Sequence, residues 1–253
     1  MIDGPSDMVR IGEVAAGAGI VGALYATFVP GSGIWCPVVT RGTAGGRPRV
    51  ALTFDDGPLP GSTDRILDIL AEQGVKAVFF VIGRPAEQHP DLVRRIHDEG
   101  HLVANHTYHH PTHGWARGLR FWRRQIERTD AVVERAIGLR PRFFRPPMGI
   151  KSFVTARAAR GHAVIGWTRR GFDGVATTPQ RVVARLAPRA RAGEILLLHD
   201  GISPQSRRDP TVTIEALRPL IQELRARGLD PVRLDELTGL QPYRELKAPP
   251  AVE

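Results

Sequence analysis

From Arg49 onward the chain repeats one pattern: a short β-rich apolar run, a turn, then a stretch whose apolar residues recur every three or four positions. The runs lie near 49–55, 76–82, 101–105, 142–145, 162–168, 194–199 and 231–234 and predict seven strands. Between them Ile66, Leu67, Ile69 and Leu70 mark one helix face, Leu92, Val93 and Ile96 a second, and Ile126, Val132, Val133 and Ile137 a third. Ile214, Leu217, Leu220, Ile221 and Leu224 mark the last helix. Gly74, Gly100, Gly138, Gly161, Gly193 and Gly228 fall where a helix should stop, as left-handed C-caps would. Repeated βα units predict an α/β protein with a closed or nearly closed parallel barrel, and in such barrels chemistry gathers at the C-terminal strand ends.

The first forty residues break the pattern. Val14 to Val29 is a Gly/Ala-rich run of sixteen residues without a charge, short of the ~20 that span a bilayer core but long enough for a signal h-region of about 7 to 15. Asp3, Asp7 and Glu13 outnumber Arg10 before it, while Arg41, Arg47 and Arg49 follow it, which reverses the usual charge bias of an anchor. A start at Met8 would remove both aspartates and leave a short basic lead. The expected organisation is an anchor or export signal within residues 1–40, touching the membrane through residues 14–29, a catalytic domain over 47–237, and a loosely held tail over 238–253. The competing reading of the apolar run is a helix packed on the domain.

Composition narrows the function. With 253 residues, 42% hydrophobic and 24% charged, the chain has ordinary globular balance and one full-sized core. Its 35 Lys and Arg against 26 Asp and Glu give a formal charge of +9, a field that attracts polyanions. The arginine pairs are scattered and no nucleic-acid-binding motif accompanies them, so nucleic acid is not an expected partner. Cys36 is the only cysteine, which excludes an intramolecular disulfide and a four-thiolate zinc site. A metal would have to be held by His, Asp or Glu. Nothing in the pattern speaks to oligomeric state.

Four strand ends carry chemistry. Asp55-Asp56-Gly57-Pro58 closes the first strand with two carboxylates and a turn. His106 and His110, within Asn105-His106-Thr107-Tyr108-His109-His110-Pro111, are four apart, a spacing that on a helical turn stacks two imidazoles on one face. His109 and His113 form a rival pair at the same spacing, whereas His89, His97, His101 and His162 read as packed or surface residues. Arg145, ahead of Pro146 and Pro147, is placed to hold a carboxylate bidentately. His199, in Leu196-Leu197-Leu198-His199-Asp200, reaches the same rim and suits a general acid. One Asp and two His at strand ends make a three-ligand site open to water and substrate, in which one aspartate ligates while the other accepts a proton.

Taken in order, Thr53-Phe54-Asp55-Asp56-Gly57, His106-Thr107-Tyr108-His109-His110, Arg145-Pro146-Pro147 and Leu197-Leu198-His199-Asp200 resemble the successive motifs of the polysaccharide deacetylases, the NodB-type domains of carbohydrate esterase family four. The likeness covers about residues 47–237. It implies a distorted (β/α) barrel, with Asp55 as general base, Asp56, His106 and His110 as metal ligands, Arg145 orienting Asp55, and His199 as general acid. His106 and His110 are preferred over the rival pair because His110-Pro111 and the preceding Asn105 fit the family pattern. In the fourth motif Trp167 and Asp173 match, but Gly174 replaces a second Trp, which thins the substrate-side wall. Asp173 is expected to pair with His199 and raise its pKa. Leu197 should line the acetyl pocket beside Trp167 and Pro147, and Met148, standing where many members have Tyr, should offer its backbone N–H to an oxyanion.

The resemblance further implies one divalent ion, zinc by preference with cobalt, nickel or iron also suited, and an acetylated glycan as substrate. Peptidoglycan or a chitin-like chain is the expected polymer, N-acetyl before O-acetyl, and the cell envelope the expected location. The competing function is a non-catalytic carbohydrate-binding or scaffold protein that keeps the barrel, supported only by the missing Trp.

Overall fold

The computed structural model describes residues 19–43, 46–175, 177–203 and 209–244. In chain order the elements are α1 (19–28), β1 (Val38–Val39), β2 (Arg49–Asp55), α2 (Thr63–Glu72), β3 (Val78–Val81), α3 (Gly83–Gln88), α4 (Pro90–Asp98), β4 (Leu102–Asn105), α5 (Leu119–Ile137), β5 (Arg140–Pro141) and β6 (Phe143–Phe144). They continue as α6 (Phe153–Ala158), β7 (Ala163–Ile165), β8 (Arg169–Arg170), α7 (Pro179–Leu186), β9 (Ile195–His199), α8 (Thr211–Ala226), β10 (Asp230–Val232), α9 (Leu234–Thr238) and β11 (Tyr243–Arg244).

Strands β1, β7, β6, β4, β3, β2, β9 and β8 lie side by side in that order, with β10 added on β2, and every pairing is parallel. The sheet is an α/β half-barrel whose hydrogen-bonded path, among the described residues, runs from β1 to β8 without closing, so the expected barrel is present but open. Alternation along β2 explains its unbroken apolar run. Val50, Leu52 and Phe54 join the core under the helices, whereas Ala51 joins the core inside the barrel with Val78, Phe80, Ala104 and Ile195. Thr53 and Asp55 share the parity of Ala51 and therefore also point inward. The register sets Asp55 opposite His199 on β9 and opposite Phe80 on β3, so two of the chemical residues end their strands at one level.

The seven predicted strands are all present; β2 spans 49–55 as predicted, and the others are shorter than their apolar runs. The two-residue strands β1, β5, β8 and β11 are additions. All six predicted stop glycines have positive φ. Gly138 is the left-handed C-cap of α5, but Gly193 turns a loop well past α7, where an added Cβ would meet the Gly42 carbonyl at 2.9 Å.

Packing reaches beyond 47–237 on both sides. Val38 and Val39 pair with β7, and Arg41 binds Glu194 at 3.0 Å. Lys151 is buried, donating from Nζ to the carbonyls of Val29 and Pro30 at 3.3 and 2.9 Å, while its N–H bonds the Thr27 carbonyl. At the other end β11 pairs with β5, and the Tyr243 hydroxyl accepts from the N–H of Val103. The start of the tail is therefore tied down, in contrast to the expectation for 238–253. Residues 1–18, which hold the first part of the apolar run, lie outside the described residues, as do 245–253. On α1, Ile20, Val21, Leu24 and Tyr25 are exposed and Ala26 is buried. Among the described residues no helix is long and apolar enough to cross a membrane.

One buried histidine makes the fold pH-sensitive. His101 stands just before β4 with its Nδ1 accepting from the N–H of Ala77 at 3.1 Å, so Nδ1 there carries no proton. Burial, reinforced by Lys76, Arg233 and Arg95, pulls its pKa down to about 3. In the unfolded chain the value returns to about 6.5, so below that pH the unfolded state holds the extra proton. The stability contributed by neutral His101 is thus full above about pH 6.5 and is lost toward pH 3, at roughly 1.4 kcal/mol per unit. Urea denaturation between about pH 7 and 4 should show this slope, and His101→Asn should flatten it by close to one proton; an unaltered slope would assign it elsewhere.

Candidate active site

The C-terminal ends of β2, β4, β6 and β9 surround a cavity of about 350 Å³. Asp55, Asp56, His106, His110, His199, Leu197, Met148 and Trp167 line it. Arg145, Asp173 and Pro147 are buried and do not line it.

Asp56, His106 and His110 each offer one ligand atom, all within 4.8 Å of one another. The Asp56 Oδ1 lies 3.6 Å from His106 Nε2 and 3.4 Å from His110 Nε2. His106 Nδ1 faces the Arg145 carbonyl at 2.7 Å. A carbonyl only accepts, so Nδ1 carries the proton and the lone pair of Nε2 points at Asp56. Burial pulls the His106 pKa down to about 4 against the opposing pull of Asp55, which leaves the ring neutral at neutral pH. A buried carboxylate and two convergent imidazoles are a donor set suited to a divalent transition ion, so the residues fit the implied metal.

The two histidines do not share a helix. Residues 106–110 form a loop in which Thr107 and His110 take positive φ of 67° and 53°. Asn105 holds this turn: its Oδ1 accepts from the N–H of Thr107, and its Nδ2 donates to Asp130 Oδ1 at 2.7 Å and to the Ile126 carbonyl at 2.8 Å. The N–H of His110 then bonds Thr107 Oγ1 at 3.2 Å. A spacing of four is thus met by a side-chain-braced loop instead of helical periodicity. The rival pair points elsewhere: His109 Nδ1 meets Gln125 Nε2 at 3.1 Å, and His113 contacts Thr112.

Adjacent carboxylates diverge because Asp56 takes a φ of 76° immediately after the strand. Asp55 stays inside, its Oδ1 accepting from Arg145 Nη1 at 2.7 Å and its Oδ2 lying 3.7 Å from His106 Nε2. Arg145 is fully buried, and its remaining donors go to Thr53 Oγ1, the Ile165 carbonyl and the Gly166 carbonyl. The guanidinium lies 4.0 Å over the ring of Phe80. It reaches one oxygen of Asp55 instead of the expected bidentate pair, because its other donors span the barrel interior from β2 to the end of β7.

On the opposite wall, His199 Nδ1 is 2.9 Å from Asp173 Oδ1, and Asp173 Oδ2 accepts from the His199 N–H at 2.9 Å and from Thr213 Oγ1 at 2.7 Å. His199, held at Nδ1 by this carboxylate, lines the cavity with its ring. Gly174 packs against this ring, an added Cβ falling 3.4 Å from His199 Cε1. Asp200, whose Oδ2 accepts from Thr63 Oγ1 at 2.6 Å, and the close approach of Gly57 and Gly201 lock the β2 and β9 ends together. Thr112, Arg170, Phe172, Val175 and Ser203 also line the cavity and were not singled out from the sequence. Only Arg170 carried a cue, its pairing with Arg169.

Comparison with known proteins agrees with this geometry. A family model for polysaccharide deacetylase matches residues 42–164. The chain is 41% identical to a chitooligosaccharide deacetylase of Sinorhizobium fredii, over 72% of this chain and 88% of that one. It is 33% identical to a peptidoglycan-N-acetylglucosamine deacetylase of Bacillus cereus, over 71% of this chain and 64% of that one. The crystal structure of a peptidoglycan N-acetylglucosamine deacetylase superposes with a TM-score of 0.75 at 30% identity, covering 81% of this chain and 94% of the other. Motif order, half-barrel and near full-length relatives converge, and the chain belongs to the polysaccharide deacetylase family.

Proposed function

We propose that this enzyme removes N-acetyl groups from N-acetylglucosamine units of a peptidoglycan-type or chitin-type glycan, releasing acetate and a free amino sugar. The observation that carries the reading is the buried Asp56, His106 and His110 cluster beside an arginine-held Asp55 in one cavity. Asp56, His106 and His110 would hold a divalent ion, with zinc favoured by the two-imidazole, one-carboxylate donor set. When bound, such an ion polarises a carbonyl and acidifies a water beside it.

The chain's own groups do the rest. Asp55, fixed by Arg145, accepts the proton of the attacking water at its cavity-side oxygen. Met148, held at a φ of 55° at the rim, turns its backbone N–H toward the developing oxyanion. His199 Nε2 protonates the departing nitrogen while Asp173 fixes the ring from behind. Leu197 and Trp167 receive the acetyl group and the sugar face, with Pro147 setting the loop beneath Met148. Chemistry on such a polymer fits a cell-envelope location, with residues 14–29 as the segment that would contact the membrane.

A panel of defined N-acetylated glycans tests the reading. Acetate should appear in step with new free amines while chain length stays constant. Shortening of the polymer without acetate would indicate glycoside hydrolysis and overturn it.

A further inference from the structure

A second cavity, of about 470 Å³, opens beside the catalytic one and shares Trp167, Arg170 and Phe172 with it. Its far wall adds Arg185 and Arg189 from the α7 side, together with Arg169. Arg169 is already neutralised, donating to Glu194 at 2.6 and 3.3 Å. Among the described residues no carboxylate lies within ion-pair distance of Arg170, Arg185 or Arg189.

Like charges are nevertheless drawn together here. The Arg170 and Arg185 guanidinium carbons lie 4.1 and 5.4 Å from the same Phe172 ring, and Arg185 is steadied by the Gly171 carbonyl and Thr177 Oγ1 at 3.1 Å each. Phe172 itself is held in the left-handed region at a φ of 57°, with 42% of its surface exposed. A bulky residue keeps that conformation when its neighbours over-determine it, which is common at binding sites. The ring stands where the two cavities meet, in the loop where Gly174 takes the place of a tryptophan.

We propose that this arginine-lined cavity is a subsite for a carboxylate on the sugar next to the one deacetylated. The substrate is then an acetylated glycan with acidic neighbours, a uronic acid or a lactyl ether, and the inference rests on the deacetylase reading above. Guanidinium groups match the planar, two-oxygen geometry of a carboxylate, and an aromatic ring between the cavities gives the intervening sugar an apolar face. Because these guanidiniums are exposed, their pull on the substrate is screened by salt.

The test uses the full chain with its metal and compares kcat/KM on three N-acetylglucosamine oligomers: neutral, alternating with glucuronate, and alternating with the lactyl-ether sugar. The acidic oligomers should be preferred by roughly tenfold at low salt, mostly through KM, with the ratio shrinking as salt rises. Arg189→Gln should bring the acidic-to-neutral ratio toward one, and Arg170→Gln should lower it further. Preference for only one acidic oligomer supports the subsite and names its source. Equal use of all three by the wild type, or a preference that survives both substitutions, overturns the subsite while leaving the deacetylase reading intact. Acetate release from none of them overturns that reading, and the subsite with it.

Discussion

Asp55→Asn should lower kcat/KM by about two to four orders of magnitude while leaving metal binding in place. The expectation follows from how the adjacent aspartates part company. Asp56 turns out of the strand at a φ of 76° to meet both imidazoles, whereas Asp55 remains on the inner face against Arg145. An amide keeps the shape of the Asp55 side chain but accepts no proton at neutral pH. Asp56→Ala should instead remove both activity and metal affinity, because it takes an oxygen from a cluster whose ligand atoms lie within 4.8 Å of one another. Chelation of the wild type should reproduce the Asp56→Ala loss and be reversed by added ion. Isothermal titration with Zn²⁺ and Co²⁺ beside acetate assays separates the two roles. An Asp55→Asn protein as active as wild type would remove Asp55 from the reaction, and one that no longer bound metal would make it a ligand.

Much of this arrangement was legible in the sequence, and the gaps have physical causes. The long strands β2, β3, β4 and β9 are buried on both faces, so they read as unbroken apolar runs that no surface pattern obscures. Two-residue strands such as β1 and β8 are too short to carry a period, and their pairing is decided by what lies beside them. His106 and His110 were identifiable from their spacing, but the helical turn was the wrong carrier. The turn depends on Asn105 bridging Thr107 and Asp130, and Asp130 lies twenty-five residues away along the chain, a contact no local rule reports.

Two further residues were hidden by their type. Lys151 reads as a surface lysine, yet it is buried because the Val29 and Pro30 carbonyls accept its protons. This contact also makes the segment before β1 part of the packed unit. It passes directly beneath the catalytic rim, since an added Cβ on Gly149 would fall 2.5 Å from Pro30 and 2.7 Å from the Trp167 ring. Phe172 falls between the matched Trp167 and Asp173 of the fourth motif without being one of the matched residues, and its backbone takes a positive φ of 57° where its ring lines the cavity. The thin wall predicted from Gly174 is therefore partly supplied by a neighbour in the same loop.

Arg145→Met should unfold more readily than any exposed substitution, losing about 3 to 5 kcal/mol of stability. That would be a large share of the roughly 5 to 15 kcal/mol typical of a domain. The guanidinium is fully buried and serves Asp55, Thr53 and the carbonyls of Ile165 and Gly166, so one truncation leaves a carboxylate without its counter-charge and two carbonyls without this donor. Burial draws the Arg145 pKa down and Asp55 draws it back up, which is the mark of a charge kept in place by its partner. Methionine fills similar volume over Phe80, so the loss would report lost polar partners more than a cavity. Activity should fall with stability, because the oxygen of Asp55 that Arg145 fixes sets where the other oxygen points. Arg145→Lys separates the two effects: it keeps the charge for Asp55 but cannot reach four acceptors in a planar fork. It should recover part of the stability and less of the rate. Chemical denaturation paired with acetate release at a temperature where each variant is folded measures both, and full catalytic rate in a folded Arg145→Met protein would show that Asp55 is positioned by something else.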